Sequence, residues 1–117
     1  MRFEKVSYEQ YFKDVTDKMG IKEIGELSDS EINEIHNLLK EEYNNIILPK
    51  RAYRGSAGYD IYSPISFSLE AGQSIFFWTG IRVILDANKV LMIYPRSSLG
   101  TKYNTVLTNT IGVVDAR

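Results

Sequence analysis

The stretch SIFFWTGIRVIL, Ser74–Leu85, decides the fold class. It is dense in Ile, Val, Phe and Trp, residues that suit a pleated, half-buried surface, and it carries no helical spacing of polar groups. Similar short runs lie on either side. NIILP (45–49), YDIYS (59–63), ISFSL (65–69) and KVLMIYP (89–95) read as strands. The segments between them, KRAYRGS, EAGQ and DANK, have turn chemistry. Evenly spaced short strands predict a mainly β domain, a barrel or jelly roll, over residues 46–117. Pro49, Pro64 and Pro95 are expected at strand ends, where a missing N–H does least damage.

Upstream of residue 46 the period changes. Tyr8, Tyr11, Phe12, Val15 and Met19 recur at three- and four-residue steps, the signature of one helical face, with Gly20 placed to close it. SDSEINEIHNLLKEEYNN (28–45) opens with Ser28 and, three residues on, Glu31, the reciprocal cap for orphan N–H groups. Ile32, Ile35, Leu38 and Leu39 then form a stripe. Residues 1–45 therefore read as a short N-terminal α-helical extension on the β domain.

Composition narrows the function classes. Fourteen basic against fifteen acidic side chains give a net charge of −1, which argues against charge-driven binding to nucleic acid or to an anionic membrane. The absence of cysteine removes disulfides, thiolate nucleophiles and thiolate metal sites. No run approaches the ~20 apolar residues of a membrane span, and the N-terminus has no secretory pattern, so a cytoplasmic protein is expected. His36, the single histidine, reads as a boundary side chain rather than a metal ligand. Glu31 and Glu34 share a helical face, a spacing that all-α pyrophosphatases use for Mg²⁺. No second acidic pair follows on a later helix, so a solvated face is the better reading.

Three stretches in the β half look like more than packing. In GSAGYD (55–60), Asp60 stands at a glycine-rich strand entry, a structural role that by itself explains it. In YPRSSLG (94–100), the Arg96 guanidinium, the Ser97 and Ser98 hydroxyls and backbone N–H groups can converge on an anion; a plain surface turn with a capping serine is the alternative. In NTIGVVDAR (109–117), Asp115 follows an apolar strand, where a carboxylate needs a cation, metal or water as partner.

Taken together, in order and spacing, these stretches resemble the first three of five signature motifs of the trimeric all-β dUTPases. Ala57-Gly58-Tyr59-Asp60-Ile61 is similar to the first, Tyr94–Gly100 to the second, and Asn109, Gly112, Val114 and Asp115 to the start of the third. The 18 positions from Ser97 to Asp115 match the family interval. LPKRAYRGSAGYDIYSP and TGIRVIL add to the likeness, which covers about Ile46 to Ala116.

The resemblance implies a dUTPase-like jelly-roll or β-clip fold, incomplete here, and hydrolysis of dUTP to dUMP and pyrophosphate. It implies that Asp115 holds the attacking water, that Ser97 and Ser98 with neighbouring N–H groups bind phosphate oxygens, and that Arg96 adds charge there. Asn109 and the backbone at Gly112 would read the uracil edge. Asp60 would support the phosphate and metal shell. Mg²⁺ would arrive on the triphosphate, with no protein metal ligand assigned, and self-association, a homotrimer in the family, would be expected. Position 98 is Ser where the family has Gly.

The likeness ends within the third motif, so the chain reads as a truncated gene product or a fragment, with open strand edges that invite self-association and weaken catalysis. A dCTP deaminase-like enzyme and a non-catalytic nucleotide-binding or interaction module are the competing readings.

Overall fold

The computed structural model describes residues 1–18, 20 and 24–116; Met19, assigned above to a helical face, lies outside them. The chain order is β1 (Arg2–Lys5), α1 (Tyr8–Lys18), a 3₁₀ turn (Ile24–Glu26), α2 (Asp29–Asn44), β2 (Ile81–Ile84), β3 (Val90–Ile93), α3 (Ser97–Tyr103) and β4 (Gly112–Asp115). Two compact units result: Phe3–Arg82, and Val83–Arg117 with Met1–Arg2.

In the larger unit the helices form for the reasons their sequence gives. Ser28 accepts from the Glu31 amide while the Glu31 carboxylate accepts from the Ser28 N–H, so the predicted capping box is complete. With its carboxylate engaged there and Glu34 exposed, Glu31 is part of a cap on a solvated face. After α1, Gly20 takes φ +76° and its N–H donates to Asp17 O at 3.2 Å.

The core lies where the two helices meet the chain that follows them. Tyr11 (1% exposed), Leu39 and Ile46 are buried there. Tyr11 donates its hydroxyl to Glu42 Oε2 at 3.1 Å. Burial first, and then the Glu42 charge, push its phenol well above the usual range, so it stays a donor throughout the physiological pH range. His36 is half-buried, stacked on Phe12 with centroids 4.2 Å apart, and its Nδ1 is 2.8 Å from the Tyr8 hydroxyl. That is the boundary role expected of it. Leu38 departs from its stripe: it is 63% exposed, because Leu39 takes the core position beside it.

The same unit holds Gly80 in a tight seat. Its φ is +68°, and a Cβ there would lie 2.5 Å from Ile46 Cδ1 and 3.2 Å from Tyr11 Cδ2. The Val6 N–H donates to Gly80 O at 2.9 Å, Tyr43 donates its hydroxyl to Val6 O at 2.7 Å, and Lys5 Nζ donates to Tyr43 O at 3.2 Å. These bonds tie the segment around Lys5 and Val6, the end of α2 and Gly80 together.

The strands are fewer and shorter than the apolar runs suggested. β2 pairs with β1 rather than with any expected strand of the β half, and Arg82 meets Glu4 Oε2 at 2.7 Å. Residues 61–80 hold no ladder strand; the stretch 45–60 contributes the isolated antiparallel bridge Lys50–Asp60. A strand is defined by its partner's N–H and C=O groups, and among the described residues no ladder forms on these runs beyond that bridge. Their side chains stay correspondingly open, with Phe67, Phe76 and Trp78 all exposed.

The smaller unit is built on an antiparallel pair, β3 with β4, in the register Val90–Asp115, Leu91–Val114, Met92–Val113, Ile93–Gly112. Alternation puts Leu91, Ile93 and Val114 on the half-buried face and Val90, Met92, Val113 and Asp115 on the open one.

Candidate active site

Six of the candidate residues lie in the smaller unit: Arg96 before α3, Ser97 and Ser98 in its first turn, Asn109 in the turn before β4, and Gly112 and Asp115 on β4. Pro95 ends the run after β3, and α3 begins at Ser97. Arg96 occupies the position before the first helical residue, with φ −66° and ψ 146°, and makes no side-chain cap. The capping-serine alternative is thereby corrected: Ser97 is the first residue of the helix, and its carbonyl accepts from Thr101 Oγ1 at 2.9 Å. Arg96 and Ser97 are exposed and Ser98 is half-buried. The helix stops at Asn104, whose left-handed φ of 50° lets its N–H return to Gly100 O at 3.2 Å.

Asn109 sits at the surface in a turn closed by Thr110 N–H to Leu107 O (3.0 Å) and Ile111 N–H to Asn109 O (2.7 Å). The turn forces Thr110 to φ 69°, a region that costs an L-residue with a Cβ about 1–2 kcal/mol. This strained residue beside Asn109 has no signal in the sequence, since a β-branched side chain argues against it. Gly112 then faces Ile93 across the ladder, where an added Cβ would be 3.1 Å from Ile93 Cβ. Its lack of a side chain is what lets β4 approach β3.

Asp115 is exposed and ends β4, opposite Val90. Gly112 is opposite Ile93, the β3 end from which the chain leads to Arg96 and Ser97. Three residue steps at ~3.4 Å put Asp115 about 10 Å along the ladder from that end. The fold thus brings Asn109 and Gly112 to the end of the ladder that leads to Arg96 and Ser97, and puts Asp115 at the other.

Asp60 belongs to the larger unit. It is half-buried, and its backbone bridges Lys50 in both directions, Asp60 N–H to Lys50 O at 2.8 Å and Lys50 N–H to Asp60 O at 3.4 Å. The strand-entry reading therefore accounts for its main chain. Arg51 lies over the Tyr59 ring at 5.2 Å and Lys50 over Tyr62 at 5.8 Å.

Among the described residues, no three His, Cys, Asp or Glu side chains come together to hold a metal ion. Nor is any helix among them long and apolar enough to cross a membrane.

Against proteins of known family, residues 44–117 match the dUTPase family model. The chain is 41% identical over 69 residues to the deoxyuridine 5′-triphosphate nucleotidohydrolase of Corynebacterium diphtheriae, covering 59% of this chain and 45% of that protein. It is 46% identical over 72 residues to the enzyme of the same name from Glaesserella parasuis (59% and 48%), and 40% identical over 76 residues to that of Lactococcus lactis (63% and 51%). No solved structure matches significantly. The chain spans about half the length of the curated relatives it matches. The matched stretch contains the Asp60 loop, the Arg96–Ser98 connection and β4, the segments singled out by their chemistry, and by that match the chain belongs to the dUTPase family.

Proposed function

We propose that the chain acts as a dUTP diphosphatase, releasing dUMP and pyrophosphate, in a self-associated form patterned on the family homotrimer. The observation that carries this reading is the family match over residues 44–117, which takes in all of the motif residues. In this reading residues 46–117 are the dUTPase-like jelly-roll part, residues 1–45 are a helical extension, and the protein works in the cytoplasm.

The chemistry follows from the side chains. The Asp115 carboxylate accepts a proton from the water attacking the α-phosphorus, for which a carboxylate suffices because the water need be only partly deprotonated. Ser97 Oγ and Arg96 donate to phosphate oxygens whose charge grows during displacement. Asn109 and the Gly112 backbone contact the uracil edge, and Asp60 supports the phosphate side. Separation of Asp115 from the Ser97 end of the ladder favours a site that takes Asp115 from one copy and Arg96 and Ser97 from another. Among the described residues no group of carboxylates or imidazoles forms a cage for a resident Mg²⁺, so the ion is assigned to the substrate triphosphate.

The test is incubation of the purified protein with dUTP and Mg²⁺, reading pyrophosphate, beside dCTP and dTTP. Release from dUTP alone is the expected result. Ammonia from dCTP would instead establish the deaminase reading, and no reaction with any nucleotide would favour a binding module. Within the phosphate site, Ser97→Ala is expected to lower kcat/KM by about 10- to 100-fold, the loss of one hydrogen bond to a charged group. Ser98→Ala should change it less than about threefold, since Ser98 is half-buried and its backbone N–H survives substitution. Equal effects would show that the hydroxyl assignment is wrong.

A further inference from the structure

Thr110 holds a conformation that its own side chain opposes. Among the described residues two that are not glycine have positive φ, Asn104 at 50° and Thr110 at 69°. Asn104 ends α3, a place and a residue type that suit the left-handed region. Thr110 is β-branched and exposed, so neither its preference nor burial of its side chain accounts for it.

Main-chain bonds hold it there. The Thr110 N–H donates to Leu107 O at 3.0 Å, closing a four-residue turn, and the Asn109 carbonyl accepts from the Ile111 N–H at 2.7 Å, a three-residue turn centred on Thr110. Positive φ at its centre makes this the uncommon, strained form of that turn. Immediately after Ile111, Gly112 enters the ladder opposite Ile93. Asn109 belongs to both turns. Its carboxamide is exposed and has no hydrogen-bond partner among the described residues, so the backbone at Thr110, rather than a side-chain contact, sets the direction in which the Asn109 side chain leaves the chain.

We propose, on the reading in which Asn109 contacts the uracil edge, that Thr110 is a positioning residue: its strained φ aims the Asn109 side chain at the base, and an ordinary φ there would turn Asn109 away. The cost of the turn is met by main-chain bonds before a nucleotide binds, so the carboxamide is already directed when the base arrives.

The experiment compares Thr110→Pro, Thr110→Gly and Thr110→Asn for KM and kcat with dUTP, and repeats Thr110→Pro in an Asn109→Ala background. Proline fixes φ at about −65° and has no N–H for Leu107, so the turn cannot form, whereas Gly and Asn both accept positive φ. Thr110→Pro is expected to raise KM about tenfold, the loss of one hydrogen bond to the base, with kcat within about threefold; the Gly and Asn variants should return KM to within about twofold of the parent. Without the Asn109 side chain, Thr110→Pro should add less than about twofold. Circular dichroism checks the fold of the Pro variant. Urea unfolding of Thr110→Gly gives a measurement independent of it, since relief of strain should leave the midpoint no lower than the parent's. A Pro variant with the parent's KM, a Gly variant as impaired as the Pro variant, a tenfold loss that persists without Asn109, or a lowered midpoint for Thr110→Gly would each overturn the proposal. A parent that does not prefer dUTP to dCTP would overturn the nucleotide reading and this proposal together, a result visible before any variant is made.

Discussion

Replacing Asp115 with Asn is expected to lower kcat for dUTP hydrolysis by about 10²-fold or more while leaving the nucleotide dissociation constant within about twofold, the pattern of a base that acts only in the transition state. Asparagine keeps the size and the hydrogen-bonding capacity of the side chain, and the end of β4 is exposed. A variant as active as the parent would remove Asp115 from the mechanism. Mixing sharpens the result. If Asp115 and Ser97 of one site come from different copies, combining the impaired Asp115→Asn and Ser97→Ala proteins should give about a quarter of sites both parental groups in a randomly assembled ring, and activity above that of either variant alone. No recovery after co-refolding would mean that both groups act within one chain.

Gly80→Ala should be the most destabilising small change in the larger unit, at about 3 kcal/mol. About 1–2 kcal/mol comes from forcing a Cβ into the left-handed region at φ +68°, and the rest from crowding against Ile46 and Tyr11. Gly72 supplies the control: its φ is +82° and nothing lies within 4 Å of where a Cβ would stand, so Gly72→Ala carries the backbone cost alone. Urea unfolding of the two variants separates the contributions. Adding Ile46→Val to Gly80→Ala removes Cδ1, the nearest atom, and should recover part of the loss beyond additivity. Equal midpoints for the two alanine variants would show that the seat around Gly80 tolerates a methyl group.

Legibility in the sequence followed the range of the interactions involved. The Ser28–Glu31 cap and the Tyr8–Val15 face depend on residues three or four apart, and both helices begin where those signals lie. The strand run 65–69 carried a propensity but no partner, and 59–63 found only the single bridge from Asp60 to Lys50. Pairing is a long-range property, and β2 found β1, a charged stretch with no strand pattern. At the site, residue types pointed to Arg96, Ser97, Asn109 and Asp115 as a set. The register that sends Asp115 and the Arg96 connection to opposite ends of one ladder lies in backbone pairing and has no counterpart in composition. Thr110 is the extreme case, since its conformation opposes its own preference.

The Gly80 seat also orders events during synthesis. α1 and α2 are complete once about the first 45 residues have left the ribosome, and their contacts with each other close over short stretches of chain. Gly80 must still travel from more than sixty positions downstream to meet Tyr11 and to accept the Val6 amide. Until it arrives, the helical pair emerges with Tyr11 only partly covered, and the nascent chain exposes that ring for the time needed to translate the intervening residues, a few seconds at ordinary elongation rates of about 5–20 residues per second. A chaperone that reads apolar surface would have its opportunity in that interval, before Thr79-Gly80 closes over the helices.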